Sequence, residues 1–104
     1  MARTQNLQTL PNVVCTVAGV AYPLSSDPNL FVKSLIVQSI PTNTGDMALG
    51  DAVNQELYLT IGRSATIYGD NMDNGTTAKL QVSSIYVRGT VNGEQVSVTI
   101  LENL

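Results

Sequence analysis

Apolar and polar residues alternate in short runs along most of this chain. The clearest run is near the C-terminus, where Val96, Val98 and Ile100 alternate with Ser97 and Thr99. A period of two marks a strand with one face buried. Just upstream, Ile85 and Val87 share one face of a second strand, with Val82, Ser84 and Tyr86 on the other. Asn92-Gly93 lies between the two runs. Asn-Gly favours a type I′ turn, in which both central residues take positive φ and the twist suits paired strands. Leu80–Leu101 is therefore predicted to be a β-hairpin, with Val96, Val98 and Ile100 facing the core.

The same alternation recurs earlier. Leu57, Leu59 and Ile61 alternate with Tyr58 and Thr60, and Ala65 and Ile67 oppose Thr66 and Tyr68. Phe31–Ile40 is the longest β-prone run. Both of its faces are mixed, which fits a central strand covered on each side. Val13–Ala18, Val20–Leu24 and Met47–Leu49 read as shorter strands. Turn chemistry separates them at Ser25-Ser26-Asp27-Pro28, Pro41 to Asp46, Gly50-Asp51 and Gly62-Arg63-Ser64. Pro23 and Pro28 stand too close together for a helix. Asp70–Thr77 is the most polar stretch and is predicted to be an exposed loop. Residues 1–12 show no period and read as an arm. The pattern predicts an all-β fold, a single antiparallel β-sandwich or small jelly-roll-like barrel of about seven or eight short strands. An extended N-terminal arm at 1–12 would precede one β domain at 13–104.

Composition narrows the chemistry. The chain has 104 residues, enough for one domain with a thin core. Only 12% are charged, the net charge is −3, and the five basic residues are scattered singly. Direct nucleic-acid binding is not expected, because it needs a basic patch. No run approaches the ~20 apolar residues that cross a membrane as a helix. The N-terminal residues lack an apolar stretch of signal-peptide length, so no secretory signal is read there. There is no histidine and one cysteine, Cys15. Histidine-based triads, histidine-ligated zinc, thiolate clusters and an intrachain disulfide are thereby excluded. Cys15 sits in an apolar stretch and reads as a small buried hydrophobe. Asp46 with Asp51, and Asp70 with Asp73, are the carboxylate pairs a sequence of this length yields by chance. Gly45 and Gly50 have a phosphate-loop gap, but Asp51-Ala52 stand where Lys and Ser or Thr are required. Asp70–Gly75 echoes a calcium loop, with Met72 and Gln81 at positions that should be ligands. No enzyme activity, cofactor or metal is expected. Tyr58, Tyr68 and Tyr86 fall on outward faces, where they read first as partly buried under loops or in a second layer, and alternatively as a sugar platform or a subunit contact.

Three stretches carry a resemblance. They are VAGVAYPLSSDPNLFVKSLIVQSIPTNTGDMALGD at residues 17–51, LTIGRSATI at 59–67 and SSIYVRGTVNGEQVSVTIL at 83–101. In this order they resemble small all-β virion structural proteins of tailed bacteriophages, which decorate, cement or extend the head or occur in tails. The second stretch departs from the usual form, with Ile61-Gly62 where a Pro-Gly pair is common. The resemblance implies a non-enzymatic capsid cement or decoration protein on the outer surface of the virion. Its implied partners are the major capsid protein and its own copies, as a homotrimer. An arm reaching a neighbour is also implied, which would place Arg3, Leu7 and Leu10 at an interface. Asn43 in the 41–46 loop, with Tyr58 and Tyr68, completes the expected contact set. The alternative is a head-fibre, tail or spike module that binds a host glycan through its tyrosines.

Overall fold

The computed structural model describes residues 5–68 and 80–103. Its strands are β1 (Gln5–Cys15), β2 (Ala21–Pro23), β3 (Phe31–Val32), β4 (Ser34–Ser39) and β5 (Met47–Gly50). They continue with β6 (Gln55–Leu59), β7 (Ser64–Tyr68), β8 (Leu80–Gln81), β9 (Tyr86–Gly89) and β10 (Glu94–Asn103). A 3-10 turn covers Val82–Ser84. One four-stranded sheet has the order β1-β10-β4-β7, and a second has β2-β9-β5-β6. β3 and β8 form a separate two-stranded ribbon. Every pairing is antiparallel. Two four-stranded sheets interleaved in this order form a jelly roll. The expected fold class holds, with ten strands among the described residues in place of seven or eight.

The core lies between the sheets. β10 contributes Val96, Val98 and Ile100, β4 contributes Leu35 and Val37, and β1 contributes Cys15. From the other sheet come Met47, Leu49, Leu59 and Val87. Alternation marks the inward face of β10, Val96, Val98 and Ile100. β4, which reads as mixed on both faces, turns Leu35 and Val37 inward, and β5 buries the consecutive Met47, Ala48 and Leu49.

The Leu80–Leu101 hairpin does not form. β9 pairs with β2 and β5, whereas β10 pairs with β1 and β4, so the two strands belong to opposite sheets. Gly93 has φ +83°, and no non-glycine residue among those described has positive φ. Asn92 is therefore not in the left-handed region, and the type I′ turn is excluded. With Glu94 N donating to Val91 O at 3.4 Å, the turn has the single positive φ of a type II form. Two bonds hold it to the start of the chain: Asn92 Oδ1 accepts from Ala18 N at 2.7 Å, and Gly93 N donates to Cys15 O at 2.8 Å. The turn carries the chain from one sheet to the other.

Two further differences have one cause. The Phe31–Ile40 run breaks at Lys33, and a 3-10 turn interrupts the strand that starts at Leu80. Val32 and Leu35 are both buried, as are Val82 and Val87. Odd spacings cannot place both members on one face of an unbroken strand. A bend or turn between them resets the phase.

Residues 5–12 belong to the same strand as residues 13–15, so the described part of the expected arm lies within the sheet. Gln5 to Leu10 pair with Asn103 to Val98, and the register shifts before Val13. Pro11 falls in that irregularity, where a missing N–H costs no ladder bond. No clear alternation announced this half of β1. As an edge strand, it is held largely by backbone bonds to β10. Residues 1–4, with Arg3, and the predicted loop at 70–77 lie outside the described residues.

Candidate interaction surface

The outer face of the β1-β10-β4-β7 sheet is built from the positions that alternate with the core. Thr9, Thr99, Ile36 and Thr66 lie in register across all four strands. The next row holds Leu7, Ser34 and Tyr68, and on the other side comes Ser97, Gln38 and Ser64. Val14 and Gln95 extend it beyond the irregularity in β1. None of these residues is charged. Four apolar or aromatic side chains on it are well exposed: Leu7 at 71%, Val14 at 45%, Ile36 at 40% and Tyr68 at 72%. Such a face hydrogen-bonds and buries apolar area without stripping water from a charge.

The loop that leaves the end of β4, an inner strand of this sheet, is fixed by two buried polar side chains. The Glu94 carboxylate accepts from four backbone amides: Thr44 N at 3.1 Å, Gly45 N at 2.6 Å, Thr90 N at 3.2 Å and Val91 N at 2.9 Å. Thr90 Oγ1 lies 3.3 Å from the same carboxylate and 3.0 Å from Asp46 O. Asn43 Nδ2 donates to Ser39 Oγ at 2.9 Å and Gln95 O at 2.8 Å, while its Oδ1 accepts from Gln95 N at 2.9 Å. A Cβ on Gly45 would collide with Thr90 Oγ1, so glycine permits the close approach. The 41–46 loop is thus joined to the 90–95 segment through side chains that face inward.

The six residues expected at a contact surface fall in different places. Leu7 and Tyr68 share the uncharged face. Leu10 points the other way and packs against the core. Asn43 is buried and its side chain is occupied within the fold, so what it contributes is loop geometry. Tyr58 is 61% exposed, but it pairs with Ala48 on the outer face of the second sheet. Tyr58 and Tyr68 therefore lie on opposite faces of the sandwich and cannot form one sugar platform. Arg3 lies outside the described residues. Ile36 and Val14 were not among the expected contacts, and their place in β-prone runs concealed their outward orientation. Glu94 was also missed; a lone charge directly after Asn92-Gly93 in a charge-poor chain was its only signal.

Other chemistry is sparse. Among the described residues, no three His, Cys, Asp or Glu side chains come together to hold a metal ion. Asp46 and Asp51 stand at opposite ends of β5. Asp51 closes a turn by accepting from Asn54 N at 2.7 Å and Val53 N at 2.8 Å. Those amides, Asn54 first, hold its carboxyl below the usual aspartate value. A cleft of about 360 Å³ opens between the edge strands β1 and β2, lined by Leu10, Pro11, Val13, Pro23, Leu24 and neighbouring Ser and Asn residues.

No protein-family model matches the chain, and no curated protein does either. The chain is similar in structure to a protein described in work on Bacillus endospore appendages, reported there as a novel family of disulfide-linked pili. The two share 18% identity with a TM-score of 0.48, over 100% of this chain and 92% of the other. A likeness that distant carries no functional argument.

Cys15 is fully buried, and burial pushes its thiol from the ordinary 9.0 up to about 11, with the Glu94 carboxylate adding to the rise. A thiol-specific reagent at pH 8 should leave the native protein unmodified and label it fully in denaturant. Rapid native labelling would contradict the burial. Between pH 9 and 11 an unfolded chain loses this proton while the native one keeps it. Stability is therefore lost as the pH rises through that window. Cys15→Ala should remove this contribution to the pH dependence, read by urea denaturation at each pH.

Proposed function

We propose that this chain is a non-catalytic structural subunit that attaches to a larger particle, as a decoration protein on the outer surface of a tailed-phage head. The partner would be the assembled major capsid protein. The uncharged, four-stranded outer face carries this reading. Interface cores are depleted in charge and enriched in aromatic residues, and this face matches both tendencies with Tyr68, Ile36 and Leu7. The family resemblance of residues 17–51, 59–67 and 83–101 supplies the particle. A glycan-binding role gains no support from the tyrosines, since Tyr58 and Tyr68 are on opposite faces.

The test adds purified protein to capsids that lack it. Co-sedimentation with the capsids and a raised genome-release temperature are expected. Ile36→Lys, at an exposed site, should fold normally and lose both effects. Capsids that neither bind the parent protein nor gain thermal resistance would overturn the reading.

A further inference from the structure

The two sheets have four edges, and three of them are guarded. An unpaired edge strand invites pairing with another chain, and proteins blunt it with proline, bulges, charge or shortness. β1 carries Pro11 and a register break. β2 is three residues long and ends in Pro23. β6 contains Glu56, and its pairing with β5 shifts register between Leu49 and Gly50. β7, Ser64-Ala-Thr-Ile-Tyr68, has none of these devices. It pairs in unbroken register with β4 and, among the described residues, with nothing on its other side.

We infer that β7 is a self-association edge, on which a second copy of this chain adds its own β7 antiparallel across a two-fold axis at Thr66. The sequence is suited to this partner. Centring the pair on Thr66 sets Ser64 against the second copy's Tyr68, Ala65 against its Ile67, and Thr66 against its Thr66. Directly opposed residues share a face, and here each pair agrees. Ala65 and Ile67 are the inward pair, packed against the core, and the other three lie outward. No like charges meet, which matters between two copies of a chain with net charge −3. A two-fold contact uses one patch on both molecules and closes on itself, so one unguarded edge is enough. The product is a continuous eight-stranded sheet whose outer face stays uncharged. It is a two-fold assembly, unlike the three-fold one the family resemblance implies, and it does not depend on capsid binding.

Mass measurement of the intact protein by light scattering, over a range of concentrations, should show a dimer. Thr66→Lys places two like charges opposite each other on the axis and should shift the protein to monomer while its circular dichroism stays unchanged. Thr66→Cys gives the positional test. Opposed Cβ atoms sit about 4.5–5.5 Å apart, close enough for a disulfide after small adjustment. Two Ser64 positions would be separated by roughly 13 Å along the strands. Mild oxidation should therefore cross-link Thr66→Cys and leave Ser64→Cys single. Buried Cys15 does not compete. A monomer at all concentrations, a trimer, an unchanged dimer in Thr66→Lys, or equal cross-linking at both positions would overturn the inference.

Discussion

Ile100→Ala should lower the unfolding free energy by roughly 2–5 kcal/mol, the range for removing a large aliphatic side chain from a packed core. Ile100 is fully buried and sits in the middle of β10, between Gln8 of β1 and Leu35 of β4. The small side chain leaves a cavity that two flanking strands cannot both close. In a domain of this size the melting temperature should fall by about 10 °C or more. Ile36→Ala, on the opposite face of the same sheet, should cost no more than about 0.5 kcal/mol, the usual scale for surface changes. Urea denaturation of the two variants measures the contrast. Equal losses would mean that the two faces have been assigned the wrong way round.

Glu94→Ala should cost about 2–3 kcal/mol. The substitution removes the common acceptor of four backbone amides. Thr44, Thr90 and Val91 are exposed enough for water to replace part of what is lost, which keeps the figure below the sum of four separate bonds. Glu94→Gln should fall between wild type and Ala, because one amide oxygen still accepts while its NH₂ faces donors. Amide proton shifts of Thr44, Gly45 and Val91 should move in both variants, reporting release of the 41–46 loop. A Glu94→Ala protein with unchanged stability and unchanged shifts would show that the carboxylate does not hold the loop.

Period-two alternation made the buried faces of β7 and β10 legible, whereas in β4 both faces read as mixed and only the fold shows Leu35 and Val37 turned to the core. Alternation could not reveal which strands pair. The connection at Asn92-Gly93 has a hairpin's sequence, yet it spans the two sheets because Asn92 and Gly93 bond back to residues 15–18. Non-local bonds overrode a local preference. β1 was half-hidden for a related reason: an edge strand needs few apolar residues when its neighbour supplies the backbone partners. The uncharged face was visible only as low overall charge until register aligned Thr9, Thr99, Ile36 and Thr66. Asn43, expected at a contact surface, is buried with its amide bonded inside the fold; a loop asparagine gives no hint of whether its amide faces water or the chain's own backbone.

The loop tied by Asn43 and Glu94 has a practical consequence. Its shape is specified by side chains beneath it and by Gly45, while Thr42, Thr44 and Asp46 are exposed above. Shape and surface chemistry are thus encoded by different residues of one short segment. That separation is what a display scaffold requires: the upper positions can be randomised for new recognition while the lower ones preserve a single backbone path.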